Sequence, residues 1–175
     1  IPLVGSFVVS LVLAPYVGDR GFGVYSLVMS TATLILVVAK FGIHSATSRL
    51  VSEYENAPGP WIRAGLTLRV PLTLVMAMVA LLAAGPIARL LTGGTESAGA
   101  FVLAAAVIVG ASLFEFATEV QVGLRAFGRQ LVLRLVSLAL RLSALGLVRW
   151  FGLGVEAFLA GHAIAQAAPA ILVLG

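Results

Sequence analysis

AGAFVLAAAVIVGASLFEFATEVQVGL, residues 98–124, decides the class of this chain. It carries two carboxylates, Glu115 and Glu119, in a run that is otherwise apolar, small or neutral. At 1.5 Å per residue it is long enough to cross a hydrocarbon core of about 30 Å. A charge at such depth costs several kcal/mol unless it pairs, snorkels or lines water, so intramembrane charges mark pathways or polar interfaces.

The same texture extends in both directions. The chain has 175 residues, 61% of them hydrophobic and only 10% charged. Its mean hydropathy is +1.12. A soluble domain carries about 25% charge, so this composition excludes a soluble fold. The sequence predicts an all-α polytopic membrane bundle of about six transmembrane helices, roughly 1–17, 23–55, 61–91, 98–124, 129–148 and 154–175. Strands are not expected, because the runs are too long for them and each segment must satisfy its own backbone hydrogen bonds. Gly18-Asp19-Arg20-Gly21 is a turn signal, Ala57-Pro58-Gly59-Pro60 a stop, and 92–97 a polar loop. The chain opens and closes inside apolar sequence, which predicts a fragment of a larger protein occupying 1–175.

No cysteine is present, so disulfides and thiolate metal sites are excluded. His44 and His162 lack a second ligand at metal spacing and read as polar contacts between helices, so no metal and no cofactor is expected. The net charge of +4 reports topology and does not point to nucleic acid. Arg49, Arg63, Arg69, Arg125, Arg129 and Arg134 cluster at the 2–3 and 4–5 connections, against Arg20, Arg89 and Arg149 on the other side. The positive-inside rule then places the first connections, and the N-terminus, in the cytoplasm. Trp61, Trp150 and Tyr54 read as interfacial anchors.

Leu13-Ala14-Pro15-Tyr16-Val17-Gly18-Asp19-Arg20-Gly21-Phe22-Gly23-Val24-Tyr25-Ser26-Leu27 resembles the polysaccharide (O-antigen type) flippase family. Members carry a pattern like LA-x-x-LG-x-x-x-FG-x-YSL between their first two helices, and Val17 stands here where Leu is usual. Phe41-Gly42-Ile43, the segment from Arg49 to Tyr54, and Leu124-Arg125-Ala126-Phe127-Gly128-Arg129 ahead of an Arg-bearing fifth run are similar too. The resemblance implies the multidrug/oligosaccharidyl-lipid/polysaccharide exporter superfamily, with twelve to fourteen helices in two lobes around a cavity. It implies that this chain is most of an N-terminal lobe, its C-terminal partner lobe lying elsewhere. It further implies translocation of an undecaprenyl-pyrophosphate-linked oligosaccharide across the bacterial inner membrane. Such a protein makes and breaks no bond, and its partners are that substrate and membrane lipids.

The charges then divide into two readings each. Arg141 lies about 18 Å along the helix from Arg129, near the bilayer centre, with Arg134 two turns earlier on the same face. The pair could receive a pyrophosphate, whose geometry guanidinium matches bidentately. The alternative is an ion pair of Arg141 with Glu115, since both lie thirteen residues from Gly128 on either side of a hairpin. Glu115 and Glu119 share a face and either couple a cation or are neutralised by Arg134 and Arg141. Lys40 and Arg69 either snorkel to the cytoplasmic surface or line the cavity. Arg49 either pairs with Glu53 at i+4 or meets lipid phosphate. Pro71, Pro86 and Pro169 mark kinks or helix ends.

Rival functions remain at this point. A cation-coupled multidrug antiporter of the same superfamily would favour an acidic, aromatic-lined cavity. A membrane glycosyltransferase or polymerase would carry catalytic carboxylates or histidines in a large extramembrane loop, and these loops are short. A purely structural subunit would not require Arg141 at mid-depth.

Overall fold

The computed structural model describes residues 2–40, 42–93 and 99–174, with side-chain surroundings for these except residues 2–6, 39, 40 and 44. Six helices follow in order: α1 (Pro2–Lys40), α2 (Ile43–Glu53), α3 (Gly59–Thr92), α4 (Gly99–Gly123), α5 (Phe127–Trp150) and α6 (Val155–Leu174). No strand occurs among the described residues. Five of the helices are long and apolar enough to cross a membrane, and α2 is not among them. The chain is an all-α, multi-pass membrane protein.

Two connections differ from the sequence expectation. The turn foreseen at 18–21 is a break at one residue, and helix resumes beyond it. Gly18 sits at φ 66°, ψ 175°, a region essentially closed to residues with a Cβ. It divides the 39 residues of α1 into halves 2–17 and 19–40. An unbroken helix of that length would run about 58 Å, twice the hydrocarbon thickness. The expected single helix over 23–55 is instead two, because Gly42 takes a left-handed φ of 75° ahead of α2. The sequence also changes character there. α2 buries Thr47 and Val51 and exposes Ser45, Ala46, Arg49 and Glu53, as a helix lying on a bundle does. Tyr54 stacks on Trp61 with ring centroids 4.9 Å apart and fixes the short link to α3. Phe41 and most of the polar loop at 92–97 lie outside the described residues.

α4 is the central element. It packs against α6, α3, α1 and α2, whereas α5 packs mainly on α6 and meets α4 only sparsely. Lipid offers no hydrophobic drive for helix association, so close contact of small residues must supply it. Gly110 shows how. A Cβ there would stand 2.5 Å from the Ala163 carbonyl oxygen, so only glycine lets α4 and α6 approach this closely. The fully buried Phe101, Ile108 and Phe158 belong to the apolar core built around α4, while Phe116 packs toward α3. α3 contributes a buried face of Gly65, Arg69, Thr73, Ala77, Ala80, Ala84 and Ala88, which recur every three or four residues. Its opposite face exposes Leu68, Leu74, Leu82 and Leu90, as suits lipid contact.

The bundle has two distinct ends. α2 docks where α3 begins and α4 stops, since a Cβ on Gly65 would meet Thr47 and one on Gly123 the Ser48 carbonyl. Exposed Arg49, Arg63, Arg125 and Arg129 gather at this end. At the other end the Arg149 guanidinium lies 4.2 Å over the Tyr16 ring, joining the close of α5 to the break in α1.

Candidate functional site

Two arginines enter the bundle, and the helices treat them differently. Arg69 is carried inward on the small-residue face of α3 and is 3% exposed. Its Nε donates to Ser112 Oγ at 2.9 Å. Ser112 Oγ shares a further hydrogen bond with Thr73 Oγ1 at 2.7 Å. Arg69 Nη2 lies 3.5 Å from Glu115 Oε2, and the guanidinium stands 5.8 Å from the Phe116 ring centre. Glu119, one turn along α4, is within electrostatic reach of Arg69 as well. The result is an ion-paired contact between α3 and α4 in which Arg69 Nε is hydrogen-bonded and the buried Nη1 has no hydrogen-bond partner.

This overturns the pairing of Glu115 with Arg141. Equal distance from Gly128 gives the two residues similar depth but not contact, because α4 turns toward α3 and α6 while α5 packs along α6. Arg69, read from the sequence as a snorkelling or cavity residue near the surface, is the carboxylate's partner. Its signal was present in the sequence. Ala77, Ala80, Ala84 and Ala88 continue the helical register of Gly65, Arg69 and Thr73, which places Arg69 on the packed face.

Arg141 occupies the second centre, between α1, α5 and α6. It is part-buried, and its Nη2 and Nε donate to Ser137 Oγ at 3.1 and 3.4 Å. Ser137 is wholly buried one turn back on α5. Arg134, also part-buried, lies one turn further, so both arginines flank the inward face that Ser137 marks. Tyr25 of α1 and His162 of α6 are within electrostatic reach of Arg141. An aromatic row links them, Tyr25 to Phe158 at 5.6 Å and Phe158 to His162 at 6.0 Å between centroids. No carboxylate among the described residues forms a salt bridge with Arg141. His162 is 2% exposed, and neither ring nitrogen has a hydrogen-bond partner; the Gln166 side-chain carbonyl, one turn on, has none either. Tyr25 was quoted only as part of the Leu13–Leu27 motif and given no role, and Ser137 and Gln166 were not singled out, because isolated neutral polar residues carry no periodic signal of their own.

The remaining candidates stand apart from both centres. Arg49 and Glu53 are both exposed on α2 and form no salt bridge, which corrects the expected i+4 pair. An exposed ion pair gains too little to hold two long side chains in one geometry. The Lys40 and His44 side chains lie outside the described residues. No group of three or more histidine, cysteine or acidic side chains suited to a metal occurs among the described residues.

No curated protein and no solved structure matches the chain significantly. A family model described as polysaccharide biosynthesis protein matches residues 4–174, which takes in both arginine centres and all five spanning helices. The chain therefore belongs to the polysaccharide biosynthesis protein family.

Proposed function

We propose that the chain is the N-terminal lobe of a flippase that moves an undecaprenyl-pyrophosphate-linked oligosaccharide across the bacterial inner membrane by alternating access. The observation that carries this reading is Arg141, a cation in a spanning helix, part-buried and without a carboxylate partner among the described residues. An intramembrane charge to which the described residues of this chain give no carboxylate is suited to a counter-ion that arrives with the substrate. A pyrophosphate supplies one, and guanidinium recognises it bidentately. Arg134 extends the same face toward the end of the bundle where Arg49, Arg63, Arg125 and Arg129 are exposed. The positive-inside rule makes that end cytoplasmic, so the anionic head would load there and pass Arg134 before Arg141. The polyprenyl tail stays in lipid, and no bond is made or broken.

The cation-coupled antiporter is less well supported. Its coupling carboxylates would be Glu115 and Glu119, and Glu115 is held by Arg69. The test is translocation by the full-length protein in liposomes, using a fluorescent lipid-linked oligosaccharide. The reading expects the label to reach the opposite leaflet with its mass unchanged. A change of mass would make the protein a transferase or polymerase, and transport of lipophilic cations in place of the labelled lipid would make it an antiporter.

A further inference from the structure

We infer that the first half of α1 is a gate, pivoting on Pro15–Gly18 and latched to the end of α5 by the contact of Arg149 with Tyr16. The pivot is made of two defects three residues apart. Pro15 has no N–H, so the Leu11 carbonyl one turn back has no helical donor. Gly18 stands at φ 66°, ψ 175°, where the helical ladder stops. Nothing lies within 4 Å of where a Cβ on Gly18 would stand, so no packed neighbour holds the joint. Hinges are built from a few such residues, which absorb a large backbone change. The two halves are also held unequally. Between Phe7 and Val17 only Val9 and Leu13 are buried. Beyond the break Val24, Tyr25, Val28, Ala32 and Leu36 are buried at helical spacing and anchor the second half in the core. In lipid, undocking Val9 and Leu13 carries no hydrophobic penalty and costs only their packing.

The latch has the strength of a reversible contact. The Arg149 guanidinium lies 4.2 Å from the centre of the Tyr16 ring, and Tyr16 sits inside the pivot, between Pro15 and Gly18. A cation over an aromatic face shifts an open-to-closed ratio by about two- to thirtyfold, enough to bias a gate and too little to fix it. A cleft of about 570 Å³, walled by Tyr16, Val17, Gly146 and Trp150 among others, lies beside the contact and gives the ring room to leave. Arg149 stands about 12 Å beyond Arg141 along α5, away from the end where Arg49, Arg63, Arg125 and Arg129 are exposed. On the proposed function this is the end at which the head would leave, but the gate rests on the geometry of α1 and α5 alone.

The test is a pair of distance distributions from spin labels on the full-length protein in lipid nanodiscs, read by double electron–electron resonance. One pair joins Leu11→Cys on the first half of α1 to Leu82→Cys on the outer face of α3. The other joins Leu34→Cys on the second half to the same site. All three positions are exposed. Arg149→Gln and Tyr16→Leu should each raise the population of a second Leu11–Leu82 distance by about two- to thirtyfold, with the Leu34–Leu82 distance unchanged. Arg149→Lys keeps a cation over the ring and should stay near wild type. Pro15→Ala restores a backbone donor and should lower the second population. Arg149, Tyr16 and Pro15 are exposed, so these variants should keep the fold. Identical Leu11–Leu82 distributions in the wild type, Arg149→Gln and Tyr16→Leu overturn the latch. A Leu34–Leu82 distance that shifts together with the first overturns the pivot. Both readouts are independent of transport, so a failed gate and a failed flippase are told apart.

Discussion

Arg69 and Arg141 are the same residue type in the same bundle, and among the described residues only Arg69 has a carboxylate partner. The α3–α4 interface surrounds Arg69 with Ser112, Thr73 and Glu115 and leaves it 3% exposed. The α1–α5–α6 region gives Arg141 a serine on its own helix and two polar rings. A buried charge whose partners come from its own protein holds helices together. A charge given no counter-ion contributes little to that and is available for something else. On the proposed function, the difference makes Arg69 the structural arginine and Arg141 the one that meets substrate.

The largest expected effect probes the structural side. Arg69→Met removes the buried end of the Arg69–Glu115 contact, leaving the Ser112 hydroxyl and the part-exposed Glu115 without their guanidinium partner, and should destabilise the protein by about 2–3 kcal/mol. Combining it with Glu115→Leu should restore most of that loss, because an apolar pair of similar volume can replace a buried ion pair. Unfolding in detergent, followed by helix content, measures the cycle. Additive losses would dissolve the contact.

A smaller contrast comes from the two serines. Ser112 serves both Arg69 and Thr73, so Ser112→Ala should cost about 1–3 kcal/mol by leaving buried donors unpaired. Ser137 serves one part-exposed guanidinium, and Ser137→Ala should cost only about 0.5–1.5 kcal/mol. The reverse order in the same unfolding assay would exchange the roles assigned to the two centres. His162→Phe should be the mildest. It removes two ring nitrogens that have no partner and keeps a planar ring beside Phe158, so stability should change by less than about 1 kcal/mol or rise. A large loss would show that the imidazole has a partner in the intact protein.

Much of this was legible in the sequence, for physical reasons that can be named. Lipid solvent forces apolar runs of fixed length, so the runs around Glu115, Arg141 and His162 announced their helices directly. The punctuation was also readable, since Gly18 and the Pro58–Pro60 segment stand where helices break or begin. Gly42 was harder, because one glycine inside a continuous apolar-to-amphipathic run has no turn signature around it. The partner of Glu115 was misread for a different reason. Counting residues from a turn gives depth along a helix, but contact also requires the right neighbour. That choice was made by Gly110, which draws α6 onto α4, and by the small residues of α3 that bring Arg69 inward. Such interfaces are set by what is absent from a side chain, and they show in a sequence only once small residues are read as a packed face.

The most direct test of the central claim compares transport per folded molecule for Arg141→Gln, Arg141→Lys and the apolar replacement of Arg69 with Glu115. If Arg141 receives the pyrophosphate, Arg141→Gln should fold near normally, since no carboxylate is left behind, yet should flip the lipid-linked oligosaccharide at background rates. Arg141→Lys keeps the charge without the planar fork and should retain part of the activity. The Arg69–Glu115 replacement should transport at near wild-type rates once folded. Full transport by Arg141→Gln, or loss of transport confined to the Arg69–Glu115 replacement, would contradict the account.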